Sequence, residues 1–135
     1  MFEFTTKIRV RYGETDQMGY VYYGNYAEFY EVARVEMMRS LGMTYKSMED
    51  QGVMMPVVEL HCKYLKPAFY DQEISIKVII KDMPRARMLF NYELTNEAGE
   101  LINTGETLLV FVNMKTNRLC FIPSELANGL KPYFE

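Results

Sequence analysis

The sequence predicts an α+β domain in which a curved antiparallel sheet wraps a single long helix. Apolar residues recur at helical spacing in one segment of the first third of the chain, and from residue 58 onward they alternate with polar residues as in strands. The 135 residues suffice for one domain with a sizeable core, and no linker, repeat or low-complexity segment interrupts them. We therefore expect a single domain over residues 1–135.

The first third of the chain is predicted to form a strand, a loop and the long helix. Residues 4–12 alternate between apolar and charged side chains, which indicates a strand that ends near residue 12. A loop follows over residues 13–24. The helix is predicted from about Tyr23 to Leu41, because these side chains share one helical face: Tyr26, Phe29, Tyr30, Ala33 and Met37. Thr44 is placed to cap a short second helix that ends near Gly52.

The rest of the chain is predicted to be mostly strands. Residues 58–64 alternate before a proline, and residues 74–81 and 87–94 alternate on either side of a turn, as in a hairpin. The run at residues 108–112 is apolar throughout, which indicates a strand buried on both faces at the centre of the sheet. Ser124 is placed to cap a terminal helix.

Composition argues against several classes of function. The formal net charge of −3 is unlike that of a general nucleic-acid binder. His61 is the only histidine, so we expect no metal site and assign His61 a structural or surface role. Cys62 and Cys120 resemble buried thiols in a reducing compartment. The first residues lack the pattern of a signal peptide, and the longest apolar run is too short to span a bilayer, so we expect a cytoplasmic protein without membrane insertion.

The segment at residues 11–26 carries the candidate chemistry. It reads RYGETDQMGYVYYGNY, so an acidic pair lies in a glycine-containing loop directly before the long helix. Free N–H groups in the first turn of a helix can hold a developing oxyanion, and a nearby carboxylate can activate a water molecule or attack a carbonyl. Taken alone, Asp16 is as readily explained as a turn or N-cap residue. The pattern is the outline of a hydrolytic site.

The same segment resembles the active-site segment of the hotdog-fold acyl-CoA thioesterases of the 4-hydroxybenzoyl-CoA thioesterase type, most closely the YbgC-like branch. The matching pattern is R-Y-x-E-T-D-x-x-G-x-V-Y-Y-x-x-Y. Further matches lie in the helix at residues 29–37, in residues 64–68 and in the apolar strand after Gly105, so the resemblance covers nearly the whole chain. It implies a hotdog fold and the hydrolysis of acyl-CoA thioesters.

The resemblance also implies roles for individual residues. Asp16 would be the nucleophile or the general base, and the backbone N–H of Tyr23, assisted by that of Gly24, would polarise the thioester carbonyl. Glu14 is expected to hold Asp16 in place through hydrogen bonds in the loop. Many relatives carry histidine or proline at the position of Gly24, and other branches carry histidine at that of Tyr20, so this chain lacks a histidine there. No cofactor is implied, since coenzyme A is part of the substrate.

Coenzyme A carries a 3′-phosphate and a diphosphate, which require cations. Arg85 and Arg87, at the predicted hairpin turn, can supply bidentate contacts, although a solvated turn explains them equally well. Lys63 and Arg118 are further candidates. We therefore predict these four residues as coenzyme A contacts.

The sequence also predicts assembly. Val32, Val35 and Met38 lie beyond the apolar face that one helix can lay on a sheet, so we expect subunits to pack as a homodimer or homotetramer. Two alternative functions stay open at this point. One is a thioesterase for acyl groups on acyl carrier protein, and the other is a non-catalytic acyl-CoA-binding module.

Overall fold

A computed structural model describes residues 1–135 as a seven-stranded antiparallel sheet folded around a long helix. The strands are β1 (Phe2–Arg9), β2 (Val53–Met54), β3 (Val57–Tyr64), β4 (Glu73–Ile80), β5 (Arg87–Thr95), β6 (Leu101–Asn113) and β7 (Arg118–Cys120). The helices are α1 (Asn25–Ser40), α2 (Tyr45–Asp50) and α3 (Ser124–Leu130), and short 3-10 turns lie at Tyr12–Glu14 and Lys131–Tyr133. None of the helices is both long and apolar enough to cross a membrane.

The sheet runs in the order β1-β4-β5-β6, and β6 then pairs with β3 along its first part and with β2 and β7 near its end. The predicted hairpin is β4 and β5, in which Ile79 pairs with Asn91. The long β6 is central, with paired strands on both sides, and its residues 109–112 are buried. The predicted α+β class and the central buried strand are confirmed.

Helix α1 packs its apolar face against β1 and β4. It begins at Asn25 rather than at Tyr23, because the preceding residues form a tight turn in which the Asn25 N–H donates to the Tyr22 carbonyl at 2.9 Å. It ends at Ser40, one residue before the predicted Leu41, and Gly42 takes the left-handed conformation that terminates helices (φ +81°). The helix is therefore two residues shorter at its start than the periodicity predicts.

One predicted subunit contact is wrong. Met38 is fully buried in the chain's own core, whereas Val32 is exposed and Val35 is half-buried. Met38 belongs to the same apolar cluster as Leu126 and Leu130 of α3, and Gly129 of that helix lies beside Leu41, so the C-terminal helix packs at the end of α1. Part of the surface assigned to a second copy is covered by the chain itself.

Smaller differences concern the ends of elements. The first strand stops at Arg9 instead of near residue 12, because residues 12–14 turn into the loop. Thr44 does cap α2, accepting the Ser47 N–H at 2.9 Å on its side-chain hydroxyl. Ser124 is the first residue of α3, and Pro123 takes the N-cap position without a side-chain cap.

The two edges of the sheet differ in chemistry. At one edge, β1 presents Lys7 and Arg9, which pair with Glu73 at 3.6 and 3.5 Å. At the other, β3 pairs only with β6 and leaves apolar side chains exposed, among them Val57 and Leu60. Helix α1 lies mainly over β1 and β4 and contacts β3 through Tyr26 and Tyr30, which meet Tyr64 and Cys62. Val57 and Leu60 of β3 remain exposed.

Candidate active site

Glu14 stabilises the loop that precedes α1 through hydrogen bonds of its carboxylate and its backbone carbonyl. Its carboxylate, which is buried, accepts the Arg11 N–H at 2.7 Å and forms an ion pair with the Arg11 guanidinium at 3.0 Å. Its backbone carbonyl accepts the Tyr22 N–H and the Asn25 side-chain amide, both at 2.9 Å. The start of the loop and the start of the helix are thereby held against each other. The sequence analysis did not select Asn25. An amide side chain in the first turn of a predicted helix was the feature that indicated this hydrogen bond.

Asp16 presents one bound and one free carboxylate oxygen. Its Oδ1 accepts the backbone N–H groups of Met18 at 2.9 Å and Tyr20 at 3.2 Å. Its own N–H donates to the Tyr20 carbonyl at 2.8 Å, which closes the turn. The Oδ2 atom accepts no hydrogen bond from the chain. The carboxylate is therefore oriented by one oxygen while the other remains available for chemistry.

Two successive N–H groups are free directly before α1. The N–H groups of Tyr23 and Gly24 donate no hydrogen bond within the chain, although those of Tyr22 and Asn25, on either side, do. Gly24 has a helical backbone (φ −68°, ψ −18°) and is the N-cap residue. Unpaired donors at a helix start are available to a ligand oxygen.

Tyr64 fixes the peptide between these two residues. Its hydroxyl donates to the Tyr23 carbonyl at 3.1 Å, and the Tyr26 N–H donates to the same oxygen at 3.4 Å. Sequence reasoning missed this contact, because Tyr64 entered only as part of the matched segment at residues 64–68. The contact joins strand β3 to the start of α1.

Asp16 and Tyr23 line the same cavity, which has a volume of about 310 Å³. Its wall is mostly apolar and rich in phenol rings, and Tyr26 and Tyr64 meet edge to face with centroids 5.3 Å apart. Burial raises the pKa of Tyr26 to about 12. The other lining residues include Met18, Tyr20, Val21, Leu65 and Lys66. The two principal residues predicted from the sequence are thus brought together, with Gly24 adjoining them.

Lys66 is the cation at this cavity. It forms an ion pair with Glu100, and this hydrogen bond holds the pKa of the Glu100 carboxyl below its ordinary value. Lys63 instead points to the opposite, outer face of the sheet, as does the exposed His61, because side chains alternate along β3. His61 therefore lies away from Asp16.

The three predicted arginine contacts lie at the other end of the sheet within one subunit. Tyr64 pairs with Asn103 on β6, and Arg87 pairs with Val110 on the same strand. The separation of seven positions along β6 corresponds to about 23 Å at the rise of a strand. Arg85 and Arg118 lie at the same end as Arg87, in the β4–β5 turn and on β7. One subunit does not bring these cations to Asp16.

Known proteins are similar to this chain over most of its length. The family model described as the thioesterase-like superfamily matches residues 10–130. The putative acyl-CoA thioesterase YneP of Bacillus subtilis is 41% identical over 95 residues, covering 70% of this chain and 69% of that protein. The acyl-CoA thioester hydrolase YbgC of Escherichia coli is 32% identical over 110 residues, covering 82% of each chain.

A solved structure shows the same fold. The DHNA-CoA thioesterase from Staphylococcus aureus superposes with a TM-score of 0.89 at 37% identity, covering 98% of this chain and 89% of that one. The predicted hotdog fold is confirmed by this similarity together with the curled antiparallel sheet around α1.

Proposed function

Because this chain belongs to the thioesterase-like superfamily and is a thioester hydrolase, we propose that it hydrolyses an acyl-CoA with Asp16 as its catalytic carboxylate. In this proposal the N–H groups of Tyr23 and Gly24 form the oxyanion hole. The observation that carries it is that Asp16, with its free Oδ2, and Tyr23 line one cavity, and that the N–H groups of Tyr23 and of the adjoining Gly24 are unpaired. The choice of acyl-CoA is supported by the names of YneP and YbgC.

The reaction begins when the thioester carbonyl oxygen accepts hydrogen bonds from the Tyr23 and Gly24 N–H groups. Asp16 Oδ2 then either takes a proton from a water molecule as that water attacks the carbonyl carbon, or attacks the carbon itself. Negative charge moves to the carbonyl oxygen, where the two donors stabilise it. When the carbonyl re-forms, the C–S bond breaks, and its electron pair leaves on the sulfur, which takes up a proton. In the second route, water hydrolyses the resulting anhydride and regenerates Asp16.

The cavity wall suits the acyl part of such a substrate. Phenol rings and the side chains of Met18 and Leu65 surround the reacting groups, and Lys66 is engaged by Glu100. An apolar acyl group gains by leaving water for this surface, and its departure from water also strengthens the electrostatic contacts at the carbonyl. A panel of aromatic and aliphatic acyl-CoA substrates measures the preference.

The active assembly in this proposal is a homodimer built through β3. Its outer edge offers unpaired backbone groups, and its side chains Val57, Leu60 and Tyr64 are exposed over 44%, 45% and 50% of their surfaces. Two such edges related by a two-fold axis pair as antiparallel strands, extending both sheets into one. The Tyr64 end of one β3 then lies beside the Val57 end of the other.

This pairing accounts for the arginine contacts. The Val57 end of β3 is the end of the sheet that carries Arg85, Arg87 and Arg118. In the dimer, these cations of one subunit approach the Asp16 cavity of the other, where the phosphates of coenzyme A would emerge. We therefore place the nucleotide of the substrate across the subunit boundary.

Replacing Asp16 with asparagine tests the catalytic assignment. Asparagine keeps an Oδ1 acceptor for the Met18 and Tyr20 N–H groups, so the loop and the melting temperature should be retained. Turnover should fall by about 10²-fold or more, because the base or nucleophile is lost. Thiol release from acyl-CoA measures the rate, and a variant with more than about half of the wild-type turnover would refute the role of Asp16.

A single turnover in ¹⁸O-labelled water separates the two routes. If Asp16 is the general base, the first molecule of acid released carries the label. If Asp16 is the nucleophile and water attacks the Asp16 carboxyl carbon of the anhydride, that acid carries an unlabelled oxygen from the carboxylate, and the label appears in the protein instead. If water attacks the acyl carbon of the anhydride, the acid is labelled, and rapid-quench mass spectrometry recognises the nucleophilic route by an acyl group bound to Asp16. Mass spectrometry of the product and of the Asp16 peptide gives the answer.

A further inference from the structure

We propose that Tyr64 is a positioning residue whose hydroxyl aims the Tyr23–Gly24 peptide so that the Gly24 N–H points at the thioester oxygen. This inference rests on the proposed function, since it assigns a role in the oxyanion hole described above. It is carried by the hydrogen bond of 3.1 Å from the Tyr64 hydroxyl to the Tyr23 carbonyl.

Because the peptide bond is planar, the Tyr23 carbonyl and the Gly24 N–H are oriented together. In a trans peptide, the carbonyl of one residue and the N–H of the next lie in one plane and point in opposite directions. Fixing the Tyr23 carbonyl therefore fixes the direction of the Gly24 N–H. Without Tyr64, the only remaining hydrogen bond to this carbonyl is the one from the Tyr26 N–H, which at 3.4 Å is long.

The Tyr23–Gly24 peptide needs an additional hydrogen bond to hold its orientation, because of where it lies in the chain. It lies before the first residue of α1, outside the regular hydrogen bonding of the helix, and it contains a glycine, whose backbone has wide conformational freedom. An oxyanion hole stabilises charge only if its donors are already in place when the charge develops. A rotation of the peptide would turn the Gly24 donor away.

Tyr64 is itself held in place. It belongs to strand β3, and its ring packs edge-on against the rings of Tyr26 at 5.3 Å and Tyr23 at 6.4 Å. Desolvation raises the pKa of the Tyr64 phenol above its ordinary value, so the hydroxyl keeps its proton and remains a donor at neutral pH. A side chain on a strand is a more rigid support than one on a loop.

The experiment compares Tyr64→Phe with the wild-type protein and with Tyr12→Phe. The first variant removes only the hydroxyl that binds the Tyr23 carbonyl. The control removes the hydroxyl of Tyr12, in the loop before α1, which makes no hydrogen bond. The Tyr12 ring is 78% exposed and packs on Tyr70, outside the cavity. We expect kcat of Tyr64→Phe to fall about 10- to 100-fold with KM nearly unchanged, because the donor is misaimed in the transition state while ground-state binding remains. Tyr12→Phe should keep the wild-type kcat.

A spectroscopic readout separates positioning from a general structural effect. A ketone analogue of the substrate, with a methylene inserted between sulfur and carbonyl, cannot be hydrolysed and still presents its oxygen to the two N–H groups. Its infrared carbonyl stretch should shift to lower frequency on binding to the wild-type protein and to Asp16→Asn, and the shift should be smaller on binding to Tyr64→Phe.

The outcomes distinguish this inference from the proposed function. A Tyr64→Phe variant with wild-type kcat, or with reduced kcat but an unchanged carbonyl shift, would overturn the role of Tyr64 and leave Asp16 untouched. An Asp16→Asn variant that remains fully active would overturn the proposed catalytic carboxylate, whatever Tyr64→Phe does.

Discussion

Individual tyrosine side chains make much of the wall of the cavity apolar and uncharged. Tyr26 is almost fully buried and its pKa is raised to about 12 by the loss of hydration, so its side chain is neutral throughout the physiological range. Its ring and that of Tyr64 form an apolar wall beside Asp16. The only carboxylate in the wall is therefore surrounded by neutral groups, and the cation there, Lys66, is paired with Glu100.

The raised pKa of Tyr26 predicts a loss of stability in alkali. The unfolded chain, with a tyrosine pKa near 10, releases this proton before the folded protein does, at about 12. The contribution of the neutral phenol is therefore fully present below pH 10 and is lost as the pH rises from about 10 to 12, by up to about 3 kcal/mol. Denaturant titrations between these pH values should show a smaller decline for Tyr26→Phe than for the wild type. Equal declines would contradict the burial of this hydroxyl.

The residues of the site divide into those that sequence reasoning could find and those that it could not. Asp16, Tyr23 and Gly24 lie within nine consecutive positions, so a local pattern was enough to propose them. The contact from Tyr64 to the Tyr23 carbonyl spans 41 positions, and it depends on how β3 lies beside the start of α1. That placement is a tertiary property, which alternation along a strand does not determine.

At the scale of elements, the contact between α1 and β6 depends on one missing side chain. The Tyr30 ring stacks on Tyr92 at 4.2 Å, and its hydroxyl lies over Gly105, donating to the Asn103 side chain. A Cβ atom at position 105 would lie 2.3 Å from that hydroxyl. The helix can approach the centre of the sheet because position 105 has no side chain.

Gly105→Ala should therefore destabilise the protein by several kcal/mol, since buried overpacking forces side chains and backbone apart. The matched control is Gly129→Ala in α3, where the new Cβ would meet only Leu41 at an ordinary 3.7 Å. Alanine is the better helix former, so this variant should be equal to or more stable than wild type, by about 0.5–1 kcal/mol. Thermal unfolding of both variants makes the comparison, and similar melting temperatures would contradict the close contact.

Strand and helix periodicity predicted most elements, because each face of a sheet or helix meets one environment. The errors arose where a third element intervened. Met38 was assigned to a subunit contact on the assumption that α1 is covered only by the sheet, and α3 adds a layer at that end of the helix. Helix α1 begins late because the Tyr22 carbonyl closes a turn with Asn25 before the regular helix starts.

At the scale of the whole molecule, the proposed dimer divides each active site between two chains. Asp16 lies at the Tyr64 end of β3, and Arg87 lies at the Val57 end. Antiparallel pairing of two β3 strands reverses one of them, so Asp16 and the arginine that serves it come from different subunits. The hydrolytic and phosphate-binding functions can then be mutated in separate chains.

Mixing two impaired variants tests this division. Asp16→Asn alone should lack turnover, and Arg87→Ala alone should have a raised KM. After the two chains are refolded together, each mixed dimer contains one fully wild-type site, so activity at low substrate should recover to about a quarter of wild type if association is random. Activity that stays at the mean of the two separate variants would show that both residues act within one subunit. Light scattering of the mixture provides the control for assembly.

The charged strand β1 sets a limit on growth by edge pairing. Once two β3 edges have joined, both outer edges of the extended sheet are β1 strands, with Lys7 and Arg9 held there by Glu73. A further copy would have to strip water from these ammonium and guanidinium groups before its backbone could pair, which opposes addition. In the proposed dimer, the extended sheet would therefore close at two subunits and resist elongation into fibrils, although the β3 edge of each separate chain is open to pairing.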